Sequence, residues 1–364
     1  MNSVSKILDK AELSKEDIVR LLSITDQGEH DYLIRTAYSI KESTIGTNAY
    51  LRGLIEFSNR CQKNCLYCGI RSGNHKVTRY SLTDEEIIQV VEVAQKNHFT
   101  GIVLQSGEMQ NPDFTNRITG LIFKIKKATN VEFRITLSLG EQSLETYQDW
   151  FNAGAQRYLL RIETSSEELY KKIHPDNELH NYKTRLKCLE NIQKVGYQTG
   201  TGVMIGLPYQ TIESLADDLL FIKQMNIDMV GMGPFLEHAD TPLYHQKDLL
   251  MPLMDRFCLS IRMIAILRIL MPTINIASTT ALQSIVPFGR EYGLKAGANV
   301  LMPNLTPEKY KSQYLLYENK PCIDEEAYEC IGCLANKVKM VGEEIAYNDY
   351  GDSKHFTNRN LINS

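Results

Sequence analysis

The chain has 364 residues, with 40 Lys and Arg against 44 Asp and Glu and a formal net charge of −4. Hydrophobic residues make up 43%, enough apolar surface to offset chain entropy, so disorder is excluded as the main state. No basic excess is available to track phosphates, which argues against nucleic-acid binding.

Residues 1–48 predict a helical extension. It opens Met1-Asn2-Ser3-Val4-Ser5-Lys6, without the apolar run of a secretory signal. Ser14 with Asp17 three places on is an N-cap signature, and Ile18, Leu21 and Leu22 then share a helical face. From 49 onward, β-branched runs alternate with amphipathic stretches. Strands are predicted at 50–57, 101–105, 132–139, 157–162, 200–206, 228–233, 274–277 and 298–302. Helices are predicted at 84–96 (capped by Thr83 with Glu86), 114–127, 144–153, 182–195, 212–225 and 252–270. The most apolar stretch, Leu259 to Leu270, contains Arg262 and Arg268 and is short of the ~20 residues that span a bilayer. Alternating strands and helices predict parallel strands, and eight units predict an α/β fold with a (β/α)8 TIM-type barrel over 49–305. A C-terminal extension, 306–364, follows. The last crossover, 283–297, is short, so closure is the weakest point of the expected barrel.

The cysteines carry the clearest chemistry. Six of the eight lie in two tight groups, which in a chain without a secretory signal suits metal binding better than disulfides. A cytoplasmic protein is expected. Cys61-Gln62-Lys63-Asn64-Cys65-Leu66-Tyr67-Cys68, just after the first strand, is C-x3-C-x2-C. Structural zinc takes four protein ligands. A four-iron cluster held by three Cys leaves one iron open to a small chelating molecule. A lone Cys is usually a buried small hydrophobe, but three at this spacing are poorly explained that way. Carboxylates also follow three successive strands, at Glu108, Glu141 and Glu163. In a barrel, strand ends form the face that carries the active site.

This motif after the first barrel strand resembles the radical S-adenosylmethionine (SAM) superfamily, with Tyr67 at the motif's aromatic position. Ser106-Gly107-Glu108 is similar to that superfamily's Gly-Gly-Glu element, with Ser in the first place. The resemblance implies that this element receives the methionine ammonium of SAM; a carboxylate suits an ammonium, and glycine lets backbone carbonyls approach closely. The resemblance narrows to the HydE family of FeFe-hydrogenase maturases. It is carried by Ile55-Glu56-Phe57-Ser58-Asn59, Val103-Leu104-Gln105-Ser106-Gly107-Glu108 and Leu137-Ser138-Leu139-Gly140-Glu141. Further matches are Ile205-Gly206-Leu207-Pro208, Asp240-Thr241-Pro242-Leu243 and the stretches 157–164, 228–235 and 297–304.

The resemblance implies a [4Fe–4S] cluster on Cys61, Cys65 and Cys68. It implies SAM contacts at Tyr67, Gln105, Ser106, Gly107, Glu108, Ser138, Glu163 and Arg185, and places Met204 and Met302 beside the cofactor. It puts Thr136, Arg161, Thr279 and Thr280 around a cavity for substrate or anions. From composition alone Arg185 is a solvated helix charge, Met204 and Met302 are core methionines, and strand threonines reflect β-propensity. Cys322, Cys330 and Cys333 form C-x7-C-x2-C, where some HydE-family members carry a second cluster, here expected as [2Fe–2S] and outside the barrel proper. Zinc with His355 as a remote fourth ligand is the alternative. Cys188 and Cys258 are expected as buried thiols, and no side-chain acid or base is assigned to catalysis.

The implied activity is reductive cleavage of SAM to a 5′-deoxyadenosyl radical, which acts on a small iron-bound, cysteine-derived species in H-cluster assembly. Implied partners are an electron donor such as ferredoxin or flavodoxin and other hydrogenase maturation proteins. The rivals are a related enzyme of the methylornithine synthase or biotin synthase type, and a non-enzymatic iron–sulfur carrier or scaffold. A biotin-synthase-like sacrificial cluster needs further Cys inside the barrel, and Glu141 and Glu163 stand there instead. A carrier has no use for the Ser106-Gly107-Glu108 element.

Overall fold

The computed structural model describes residues 3–130, 132–323 and 327–363, and of 327–331, 362 and 363 the backbone alone. Three helices come first, α1 (Val4–Leu8), α2 (Lys15–Leu22) and α3 (Gln27–Thr44). Ser14 and Asp17 close the expected capping box at the start of α2. The alternating part begins with β1 (Asn48–Leu51), β2 (Gly53–Ser58), α4 (Asp84–Lys96), β3 (Gly101–Ser106), α5 (Pro112–Ala128), β4 (Arg134–Ser138) and α6 (Leu144–Asn152). It continues with β5 (Arg157–Leu159), α7 (Glu167–Ile173), α8 (Tyr182–Val195), β6 (Gln198–Thr201), β7 (Met204–Ile205), α9 (Ile212–Gln224) and β8 (Met229–Pro234). Then follow α10 (Leu253–Leu270), β9 (Asn275–Ser278), α11 (Thr280–Ile285), α12 (Gly289–Lys295) and β10 (Val300–Leu301). After the barrel come α13 (Glu308–Lys311), α14 (Ala327–Met340), β11 (Glu344–Ile345) and α15 (Lys354–Asn363).

The barrel strands are parallel in the order β1-β10-β9-β8-β6-β5-β4-β3-β2, and β1 runs into β2 with a break at Arg52. That continuity closes the sheet. Across the seam, the N–H groups of Tyr50, Arg52 and Leu54 donate to the carbonyls of Asn299, Leu301 and Pro303 at 2.9, 3.0 and 2.9 Å, and Leu305 N–H donates to Leu54 at 2.7 Å. The expected (β/α)8 barrel is present. Its short last crossover is spanned by two small helices, α11 and α12. The outer layer is completed by the N-terminal helices, α3 against α10 and α2 against α9.

The two ends of the barrel differ. At the N-terminal ends of the strands, residues 349–353 form a plug. Asp352 accepts hydrogen bonds from Arg134 at 2.9 Å and Arg157 at 2.6 Å, and the Gly351 carbonyl accepts from Arg52 at 3.2 Å and Asn275 at 2.9 Å. Burial opposes the Asp352 charge, but Arg157 and Arg134 outweigh it and hold the carboxyl down at about 2. The C-terminal strand ends are therefore the face left for a site. Among the described residues, no helix is long and apolar enough to cross a membrane.

Candidate active site

The loop after β2 carries Cys61, Cys65 and Cys68, and it is wound around one guanidinium. Arg79 donates to the carbonyls of Asn59 at 2.7 Å, Ile70 at 2.7 Å, Arg71 at 2.6 Å and Asn74 at 3.1 Å. Cys65 is buried, and Cys61 and Cys68 are partly so. Burial pushes all three thiols up, Cys65 to about 12, and a bound metal would reverse that by taking the thiolate directly. Tyr67 is oriented from behind: its hydroxyl lies 3.3 Å from His174 Nε2, and His174 Nδ1 donates to the Tyr170 carbonyl at 2.9 Å. Burial lowers His174 to about 3, so it is the neutral ring that faces Tyr67.

The loop is locked to the end of β3. Glu108 N–H donates to Cys61 Sγ at 3.3 Å, and Gln62 N–H donates to the Glu108 carbonyl at 2.9 Å. Gly107 lies between them, and a Cβ there would stand 2.3 Å from the Arg60 carbonyl oxygen and 2.7 Å from Cys61 Cβ. A second glycine makes room for the Glu108 side chain. Gly140 has φ +76°, and a Cβ there would lie 2.0 Å from Glu108 Cγ.

Behind the loop four buried charges interlock. Lys63 lies 3.0 Å from Glu108 and 2.7 Å from Glu141; Arg185 lies 3.2 Å from Glu108 and 3.0 Å from Glu141. Composition makes Arg185 a surface charge, but the structure buries it, its side chain reaching the carboxylates that follow β3 and β4. Burial drives the Glu108 carboxyl upward, with Arg185 opposing. Glu108 Oε1 is buried, and the ammonium it already faces is that of Lys63, at 3.0 Å.

The cavity opens in front of this loop and has a volume of about 250 Å³. Tyr67 and Cys68 border it on one side, and Thr279, Thr280 and Arg290 also line it. Gln105, Met204, Met302, Arg161 and Glu163 line it too. Arg161 Nε donates to both Glu163 oxygens at 3.0 and 3.1 Å, and its Nη atoms bond the Val203 and Gly231 carbonyls. Glu163 is held at φ +67°, where β5 stops short of the expected strand end and the chain turns.

Four expectations change. Thr136 does not line this cavity; it borders a separate void of about 20 Å³ deeper in the barrel, with Arg52 and Met229. Cys322 is not outside the barrel, since it lines the cavity beside Lys320 and Tyr317. Its partners diverge in environment: Cys333 is exposed on α14, and the Cys330 side chain lies outside the described residues. His355 is no ligand candidate for them, because it bonds Asn226 at 2.6 Å and its N–H joins the Thr273 carbonyl, just ahead of β9, at the plugged end. Cys188 is buried, but Cys258 only partly. Ser106, Gly107, Glu108 and Arg185 surround the cysteine loop, and Ser138 ends β4 opposite Gln105 in register.

Sequence reasoning missed Lys63, Arg79, Glu56, Lys320 and Arg290. Glu56 and Lys320 form a buried pair at 2.5 Å in the cavity wall, 264 residues apart in sequence. Only a charge count within the folded wall could have found them.

The donors suit an iron–sulfur cluster: soft thiols on one loop, one of them receiving a backbone N–H. Among the described residues, no three His, Cys, Asp or Glu converge as they would on a single ion. A multi-iron cluster asks for something else, since each Cys binds a different iron. Fold and site together define a barrel enzyme whose chemistry starts at such a loop. The radical SAM superfamily model matches residues 55–222, a span that includes all three cysteines. The [FeFe] hydrogenase maturase subunit HydE of Thermotoga maritima is 43% identical over 349 residues, 95% of this chain and 96% of that protein. The 3-methylornithine synthase of Methanosarcina acetivorans is 28% identical over 300 residues, 81% of each chain. The solved FeFe-hydrogenase maturase HydG from Carboxydothermus hydrogenoformans superposes with a TM-score of 0.80 at 19% identity, covering 99% of this chain and 83% of that one, which shows the shared fold. The chain belongs to the radical SAM superfamily and, within it, to the HydE family. It is a radical SAM enzyme, and that membership implies a [4Fe–4S] cluster and SAM.

Proposed function

We propose that Cys61, Cys65 and Cys68 hold the [4Fe–4S] cluster, and that the enzyme acts on a small iron-bound, cysteine-derived species in assembly of the FeFe-hydrogenase H-cluster. When bound, cluster and SAM supply reductive cleavage to methionine and a 5′-deoxyadenosyl radical. The protein's part is placement and exclusion of water. Glu108 receives the methionine ammonium, sharing its carboxylate with Lys63, and Ser106 and Gly107 shape the backbone around it. Arg185 and Lys63 oppose the burial that raises the Glu108 carboxyl. Arg161 fixes the Glu163 carboxylate toward SAM, and Tyr67, Gln105, Ser138, Met204 and Met302 complete the cofactor's surroundings. Thr279 and Thr280 offer hydroxyl donors to the substrate.

The observation that carries this reading is the cavity itself, which runs from Cys68 and Tyr67 to Thr279 and Thr280 within the closed barrel. An electron donor such as ferredoxin or flavodoxin and other maturation proteins are the partners it requires, in the cytoplasm. A second cluster, of [2Fe–2S] type, on Cys322, Cys330 and Cys333 is part of the proposal. The test is a maturation mixture in which this chain replaces HydE. Restored hydrogenase activity that disappears in Cys65→Ser supports the proposal. SAM cleavage without restored hydrogenase activity would transfer the enzyme to another small substrate, of the methylornithine synthase type.

A further inference from the structure

The loop of Cys61, Cys65 and Cys68 has no regular structure to hold its shape. Between β2 and α4 the chain forms no helix, and Ser81 returns to Ser58 through a single bridge. The loop advances by successive turns. Cys68 N–H donates to the Cys65 carbonyl at 3.3 Å, Arg71 N–H to that of Cys68 at 3.2 Å and Asn74 N–H to that of Arg71 at 3.0 Å. Arg79 then comes back beside the loop's start, where Tyr80 N–H donates to Asn59 Oδ1 at 2.8 Å. The Arg79 fork spans both ends of the loop. Nη1 bonds the Asn59 carbonyl ahead of Cys61 and the Ile70 carbonyl after Cys68, and Nη2 bonds those of Arg71 and Asn74. All four acceptors are neutral. Residues 57–83 hold five Lys and Arg and no Asp or Glu. Lys63 and Lys76 pair with carboxylates from elsewhere, whereas among the described residues none pairs with Arg79. Burial pushes the Cys61 thiol up, and Arg79 is one of the groups that oppose it. Three thiolates on a four-iron core make an anion, and reduction adds a further negative charge that a fixed cation nearby favours.

We propose that Arg79 is a positioning residue for the iron–sulfur cluster: its fork closes the cysteine loop into ligand geometry before iron arrives, and its uncompensated charge favours the reduced cluster. The proposal rests on the reading that Cys61, Cys65 and Cys68 hold that cluster. Arg79→Lys keeps the charge without the fork, and Arg79→Gln loses both, so the difference between them isolates the charge.

The first measurement is made on the full-length apoprotein, labelled with iodoacetamide and read cysteine by cysteine by mass spectrometry. In Arg79→Lys, Cys61, Cys65 and Cys68 should label about tenfold faster than in the wild type, while buried Cys188 stays as slow as before. Arg79→Gln, labelled in parallel, should open the loop as well. After reconstitution, both variants should hold less iron and acid-labile sulfide than the wild type. In a redox titration followed by electron paramagnetic resonance, the reduction equilibrium of Arg79→Gln should be about tenfold less favourable than that of Arg79→Lys, ~59 mV for one electron. Wild-type labelling in both variants would overturn the positioning role. Cys188 labelling as fast as the loop would overturn it too, by making Arg79 a residue of general stability. Equal potentials in the two variants would overturn the role of the charge. Full iron content in Cys65→Ser would sink the cluster reading by itself, and the apoprotein labelling still decides whether Arg79 shapes the loop.

Discussion

Replacing Gly107 by Ala tests how tightly the cysteine loop is bound to the end of β3. The added Cβ would lie 2.3 Å from the Arg60 carbonyl oxygen and 2.7 Å from Cys61 Cβ, where real contacts begin near 3.0 Å. At least 3.0 − 2.3 = 0.7 Å of movement is needed, and the obstacle is backbone rather than a flexible side-chain tip. Overpacking of this kind costs ~1–3 kcal/mol in stability. The larger effect is on geometry. The moved atoms include the Cys61 backbone and the Glu108 N–H that bonds Cys61 Sγ. A shift of ~1 Å near reacting groups can cost about a hundredfold in rate. Iron and acid-labile sulfide counted after reconstitution, followed by the rate of 5′-deoxyadenosine formation, separate the two effects. The expected result is a protein that folds, takes up less iron and cleaves SAM at least tenfold more slowly. A Gly107→Ala variant with wild-type iron content and rate would refute the tight fit between loop and strand.

Glu163→Gln should weaken SAM binding about tenfold to a hundredfold by removing one charge-assisted contact, while the cluster spectrum is unchanged; an unaltered Kd would reduce Glu163 to a structural partner of Arg161. Lys320→Met should destabilise the apoprotein by about 3–5 kcal/mol, because it strands a buried Glu56, and Lys320→Met with Glu56→Gln should recover part of that in denaturant titrations. Asp218, on α9, fixes the turn after Glu163 by accepting from Ser165 N–H and from Ser165 Oγ at 2.7 Å; burial raises its carboxyl to about 7. A raised carboxyl is protonated in the fold while the unfolded chain ionises, so stability falls as pH rises from about 4 through 7. Asp218→Asn should abolish about 2 kcal/mol of that loss between pH 5 and 7, measured as the difference between the two pH profiles. The triple Cys→Ser variant at 322, 330 and 333 should retain SAM cleavage; loss of that activity would make the C-terminal cysteines part of the radical chemistry.

What was legible in the sequence was local. The caps at Ser14 and Thr83, the bounds of α4 and α8, and the three-cysteine spacing follow from near neighbours along the chain. The strand ends were less so. The run expected as one strand at 200–206 is split into β6 and β7, and β5 ends at Leu159 because Glu163 has to turn inward at positive φ. Buried charges were illegible. Arg185 looks like an ordinary helix cation in sequence and Arg290 like a charge in a short crossover, and only the folded barrel brings one to Glu108 and Glu141 and the other to the cavity wall. Cys322 looked peripheral because it follows the last strand, yet the chain folds back across the mouth, held by Lys320 on Glu56 and on the Tyr314 carbonyl at 3.0 Å.

The central claim is that this chain generates its radical at the loop of Cys61, Cys65 and Cys68. The most direct measurement is electron paramagnetic resonance of the reconstituted, reduced protein before and after SAM is added. The account predicts a reduced four-iron signal that changes when SAM binds, persists in the Cys322, Cys330, Cys333→Ser variant and is absent from Cys65→Ser. A four-iron signal insensitive to SAM, or one unchanged in Cys65→Ser, would contradict it.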